Sequence, residues 1–223
     1  MYYNALLEHL KSCSDAKFAA FSKSLSNSDY KVIGVKNPVL RQIIKDHKND
    51  SELNTEEFKL GKFLEVDFIY FGLSLTRIKN ERDKLDFLVK KIRFAKSWAI
   101  ADTVATYFKK LTFEDYWSFF LKTYESEFIY ERRMAYVLGL KLYKDERILN
   151  IINFINENED YMVMMAEAWL LATVAITYPV EVYKFLASTK DITLKRKTIS
   201  KICDSFRFDQ TTKEKFKQLR KEL

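Results

Sequence analysis

The sequence is poor in the residues that turn chains and bind metals. Four glycines and two prolines are spread over 223 residues, too few for the corners of β-sandwiches or doubly wound sheets. The glycines are Gly34, Gly61, Gly72 and Gly139, and no two lie close enough to form a GxG phosphate cradle or a Walker loop. Two cysteines (Cys13, Cys203) and two histidines (His9, His47) give no CxxC pair, no HExxH and no credible zinc set. No metal site is expected. Long apolar runs are missing too: the longest uncharged stretch, between Glu167 and Glu181, has 13 residues, whereas a spanning helix needs roughly 20. The opening MYYNALLEHLK lacks the basic start and apolar run of a secretory signal, so the expected location is the cytoplasm, with no membrane partner.

What is present favours helices. Hydrophobic residues make up 48% and charged residues 31%, enough for a core and too balanced in charge for disorder. Helix start signals recur: Asn37 before Pro38, Asn54 with Glu57, Thr112 with Asp115, Asp160 before an apolar segment, and Thr211 with Glu214. Each offers an acceptor to the unpaired N–H groups of a first turn. Apolar spacing between them predicts helices near 3–11, 15–26, 38–48, 55–62, 65–78, 81–95, 97–109, 113–123, 128–143, 145–157, 161–177, 180–188, 193–206 and 212–221, some of which merge to leave ten or eleven. No strand pattern competes. Antiparallel helix pairs of about 35 to 45 residues joined by short polar links are the pattern of stacked helical repeats whose sequences have drifted. The expected fold is therefore all-α, a superhelical stack of helix pairs forming a single domain over 1–223, with helical bundles as the alternative within the class.

The charge is uneven. Residues 184–223 hold 12 Lys plus Arg against 5 Asp plus Glu, which is +7, and residues 1–183 hold 26 of each sign. A second concentration is Lys90, Lys91, Arg93 and Lys96, just before SWAIAD. Both are candidate contacts to a polyanion, although solvated helix faces carry such clusters as well.

Three segments carry residues suited to chemistry. SWAIADTVATYFKK, residues 97–110, opens on a Ser cap and places Trp98 and Asp102 four apart, so an indole and a carboxylate share one helix face. YERRMAYVLGLKLY sets Arg132 and Arg133 in an otherwise apolar helix, where a guanidinium reaches a carboxylate or a phosphate. YMVMMAEAWLLATVAITYP is apolar nearly all round with Trp169 at its middle, where core packing is the default.

Taken in order, SWAIADTVATYFKK, the earlier GVKNPVLRQIIKD, ERRMAYVLGL, YMVMMAEAWLL and the terminal KTISKICDSFRF resemble the HEAT-like-repeat DNA alkylation repair proteins, the AlkD-type DNA glycosylases. The resemblance covers about residues 30 to 208. It implies a superhelical stack of helix pairs, an α-solenoid whose concave basic face grips duplex DNA. The activity implied is hydrolysis of the N-glycosidic bond of N3- or N7-alkylated purines, without extruding the base into a pocket. That family has a Trp, an Asp four residues on, an Arg on a later helix and a second Trp; these fall on Trp98, Asp102, Arg133 and Trp169. Arg133 is preferred to Arg132 because its surroundings match the family pattern, and Arg132 stays open.

These residue types suit such chemistry. An N3- or N7-alkylated purine is already cationic, so the enzyme has to stabilise positive charge on the sugar and orient a water, and a carboxylate does both. Trp faces attract cations at roughly 0.5 to 2 kcal/mol per contact, which would let Trp98 and Trp169 frame the deoxyribose. An Arg would fix the adjacent phosphate. Further DNA contacts are expected from Arg132, Lys96, Arg93, Lys195, Arg196, Lys197, Lys201 and Arg207. A cationic leaving group needs no Lewis acid, so no cofactor is implied, and neither is an obligate protein partner. Two other functions fit the same fold: a non-catalytic duplex nucleic-acid binder, which the basic C-terminal segment favours, and a helical-repeat scaffold for proteins.

Overall fold

The computed structural model describes residues 2–26, 28–155 and 160–221. Among the described residues the chain is all-helical and forms twelve α-helices. They are α1 (Tyr3–Ser12), α2 (Ala16–Ser26), α3 (Asn37–His47), α4 (Leu64–Arg77), α5 (Glu81–Lys91), α6 (Trp98–Val104), α7 (Phe113–Thr123), α8 (Ile129–Gly139), α9 (Tyr161–Val174), α10 (Pro179–Ser188), α11 (Ile192–Asp204) and α12 (Gln210–Lys221). None of them is long and apolar enough to cross a membrane. The helices fall into two compact units, residues 1–110 and 111–223. Within each unit, helices close in sequence pack on one another, as in a stack of helix pairs.

Each unit is organised around one helix that is buried on nearly every side. In the first unit this is α4, where every residue from Leu64 to Leu75 is buried, between α3 and α6. In the second it is α9, which packs against α8, α10 and α11. Burial all round removes amphipathic patterning, and α9 reads in the sequence as apolar nearly all round. The buried acids of α4 are explained by the loops they hold. Glu65 accepts the backbone N–H groups of Ile33, Gly34 and Val35 at 3.0, 2.7 and 3.3 Å. Asp67 accepts from the Tyr30 hydroxyl at 2.5 Å and from the Gly61 N–H at 2.9 Å. A buried charge without such donors would be strongly destabilising. Arg77 closes the other end, donating to the carbonyls of His47, Lys48, Asp50 and Leu53 at and beyond the C-terminal end of α3. The second unit adds an aromatic cluster in which Trp117 stacks on Phe113 and Phe120 and meets Phe154 edge-on.

Several caps match the sequence signals. The Asn54 side chain accepts from Glu56 N, Ser97 from Ala99 N, Thr112 from Asp115 N and Asp160 from Met162 N. Two differ. Lys36 rather than Asn37 is the N-cap of α3, and Asp209 rather than Thr211 caps α12, accepting from Thr212 N at 2.7 Å.

The helix expected over 55–62 is replaced by a 3₁₀ turn, Thr55–Glu57, followed by extended chain. Lys31 competes for that backbone, donating to Lys62 O and accepting from Leu64 N, while Gly61 takes a positive φ of 79°. The segment expected as a helix over 145–157 is a 3₁₀ helix, Glu146–Phe154, and its last two expected residues lie outside the described residues.

Candidate functional site

In the first unit, Ser97 is extended and caps α6, which makes Trp98 the first helical residue. Asp102 stands one turn further on, and both are half-buried. Trp98 Nε1 donates to Leu25 O at 2.9 Å, which fixes one edge of the indole on α2. The ring borders a cavity of about 210 Å³ shared with Phe18, Phe21, Leu25, Leu40, Glu65 and Phe68. The indole is thus oriented by its N–H without being sealed into the core. Arg93 and Lys96, just before α6, are exposed. The Arg93 guanidinium lies 5.3 Å from the Phe94 ring centre. Lys96 is set in place by its backbone N–H, which donates to the Tyr30 hydroxyl at 3.1 Å.

In the second unit, Trp169 lies on the open stripe of α9 with the partly exposed Met162, Met165 and Thr173. Its neighbours Glu167, Ala168, Leu170 and Leu171 are buried, whereas Trp169 is 38% exposed. It lines a hollow of about 390 Å³ together with Lys201, Arg207, Asp204 and Ser205. The structure therefore groups an indole read from one motif with two cations read from another. Phe206, beside this hollow in the chain, is fully exposed.

The two arginines of α8 are engaged differently from a surface phosphate contact. Arg133 is 6% exposed, and its guanidinium donates to the Met162 carbonyl in the first turn of α9. Arg132 is half-buried and donates to Ser126 O at 2.6 Å. Tyr130 lies in the field of Arg133 and Asp160, and burial raises its hydroxyl pKa.

The cations of α11 divide by helix face. Arg196 is exposed, and the Lys197 ammonium sits 5.8 Å from the Tyr161 ring centre. Lys195, expected as a DNA contact, is only 8% exposed. It lies on the face that packs against α9 with Leu194, Thr198, Ile199 and Ile202, so little of its side chain is presented to a ligand.

Sequence reasoning missed one concentration of charge altogether. Arg41, Lys45 and Lys48 recur at the spacing that puts them on one side of α3, and they line a single cleft with Lys79, Lys109 and Lys110. The helical spacing was the available signal. It was hidden because residues 1–183 have no net charge. No group of three or more His, Cys, Asp or Glu among the described residues is placed to hold a metal ion.

The model of one protein family, described as DNA alkylation repair enzyme, matches residues 6–202. No curated protein and no solved structure gives a significant match. The family match runs through both units and takes in Trp98, Asp102, Arg133 and Trp169, and on it the chain belongs to the DNA alkylation repair enzyme family.

Proposed function

We propose that this family member is a monofunctional DNA glycosylase that hydrolyses the N-glycosidic bond of N3- or N7-alkylated purines in duplex DNA, without extruding the base. The observation that carries this reading is Trp169. A tryptophan on the open stripe of a mostly buried helix is 38% exposed, in a hollow shared with Lys201 and Arg207. Leaving so large an apolar side chain in water is unfavourable, and an aromatic face beside cations suits a sugar–phosphate chain.

In this reading the C1′–N bond breaks with its electron pair leaving on the purine, which departs neutral because it was cationic. Asp102 opposes the positive charge left on the sugar and holds the water that attacks C1′. The water's proton passes to the carboxylate or to solvent. Trp98, on the same helix face and fixed by Leu25 O, packs on the sugar. Lys201 and Arg207 hold backbone phosphates, joined by the exposed Arg93, Lys96 and Arg196 and by Lys197. Arg133 contributes the small guanidinium edge that its burial leaves, with Arg132 as the alternative phosphate contact.

The test is single-turnover release of N7-methylguanine or N3-methyladenine from methylated duplex DNA. Wild type is expected to release the base, and Asp102→Asn to slow release by about 10²–10³-fold, the usual loss on removing a charge-stabilising group. Equal release by the mutant removes Asp102 from the mechanism. Salt-sensitive DNA binding by wild type with no release favours the non-catalytic binder instead.

A further inference from the structure

The basic cleft of the first unit has no part in the reading above. Arg41, Lys45, Lys48, Lys79, Lys109 and Lys110 surround a space of about 690 Å³, and all six are exposed. None of the six forms a salt bridge with a described residue. One carboxylate, Glu81, lines the same cleft. It is committed to Lys84, whose ammonium lies 3.1 Å from Glu81 Oε1 and donates to Tyr107 O at 2.9 Å. Six uncompensated cations drawn around one cleft repel one another, and an anion placed among them relieves that repulsion.

The layout favours a linear anion over a compact one. Arg41, Lys45 and Lys48 run along one helix side for about 10 Å at 1.5 Å per residue. A DNA strand is a linear array of regularly spaced phosphates, which a row of cations along one helix side matches. The cleft also adjoins Asp102 in the chain. Thr106, which lines it, stands four residues beyond Asp102 in the 3₁₀ turn Ala105–Tyr107 that follows α6, about 6–7 Å along the axis, and Lys109 and Lys110 follow once the chain turns extended at Phe108.

We infer that this cleft is a phosphate-backbone subsite that holds the DNA strand beside the nucleotide on which Asp102 acts. The inference rests on the reading that the protein acts on DNA. A grip beside the reacting nucleotide fixes strand register from the sugar–phosphate chain alone, which an enzyme that does not extrude the base requires.

The experiment compares duplex affinity across a salt series for wild type, for Arg41→Ala/Lys45→Ala/Lys109→Ala, and for a control with the same loss of charge, Lys122→Ala/Lys141→Ala/Lys144→Ala. All six positions are exposed, so both triples should fold. The cleft triple is expected to lower the slope of log affinity against log salt by about three, at about 0.9 per lost phosphate contact, while the control keeps the wild-type slope. Duplexes with one neutral methylphosphonate group, moved a nucleotide at a time along the strand beside the damaged base, should at one or more positions weaken wild type and leave the cleft triple unaffected. An unchanged slope in the cleft triple, or an equal change in the control, overturns the subsite while leaving the glycosylase reading intact. Loss of inorganic triphosphate binding in the cleft triple with unchanged DNA binding assigns the cleft to a small polyanion and also overturns it. Absence of duplex binding by wild type removes both.

Discussion

Asp67 shows how a single residue resists interpretation until its partners are known. A carboxylate inside LEVDFIYFGLSL has no visible purpose, because the Tyr30 hydroxyl and the Gly61 N–H that it accepts from come from other segments. Burial pushes its pKa up to about 6, more strongly than those hydrogen bonds pull it down. The folded state therefore favours the protonated acid. Its contribution to stability is complete below the unfolded value near pH 4 and is lost as pH rises to about 6, a total of about 2–3 kcal/mol at 1.36 kcal/mol per unit. Asp67→Asn removes the titration and keeps an acceptor for Gly61. Urea unfolding of both proteins should show the wild-type advantage shrinking between about pH 4 and pH 6.5, and a difference that does not vary with pH would rule this out. Trp98 and Asp102 were singled out by helical spacing and by resemblance, and Trp169, whose apolar segment suggests core packing, by resemblance alone. In Lys195-Arg196-Lys197, by contrast, successive residues point about 100° apart, so a run of like charge is shared between a packed and an open face.

At the level of elements, the helices were legible because each unit packs amphipathic segments around one apolar helix, and caps such as Thr112 and Asp160 act locally. The 55–62 segment failed because its backbone is taken by Lys31 and Asp67, partners remote in sequence. The turn before α3 is another feature set by distant groups. Gly34 has a φ of 97°, its N–H donates to Glu65 Oε1 at 2.7 Å, and an added Cβ would lie 2.4 Å from the Asp15 carbonyl oxygen. That contact is with backbone, which has little room to move. At Gly61, with a φ of 79°, the nearest atoms to an added Cβ belong to the flexible Lys96 side chain at 3.4 Å. Gly34→Ala should therefore destabilise by the conformational cost of about 1–3 kcal/mol plus a steric cost, and Gly61→Ala by the conformational cost alone. Thermal melts followed by circular dichroism should place Gly34→Ala several degrees below Gly61→Ala. The reverse order would show that the Asp15–Gly34 contact relaxes freely.

For the whole molecule, segment charge and local charge give different pictures. Summed along the chain, the +7 belongs to residues 184–223, which pointed to Lys201 and Arg207, and the local cluster before SWAIAD pointed to Arg93 and Lys96, while the cations of α3 were passed over. Folding segregates the neutral remainder, drawing Arg41, Lys45, Lys48, Lys79, Lys109 and Lys110 to one cleft with a single carboxylate. No count along the sequence reveals this, because the cations come from α3, from the chain after α4 and from the chain after α6. Both concentrations attract a duplex by long-range forces that salt screens over about 10 Å at 0.1 M. The proposed bond-breaking step depends instead on Asp102 at contact distance, where mobile ions are excluded by the bound DNA. Salt should therefore separate the two. Stopped-flow association with a labelled duplex should slow at least about tenfold between 20 and 200 mM salt, as expected for steered encounter. The single-turnover rate of base release, measured with protein saturating at each salt, should change by less than about twofold. A release rate that falls in parallel with association would mean that the cations take part in the chemical step and not only in capturing the strand.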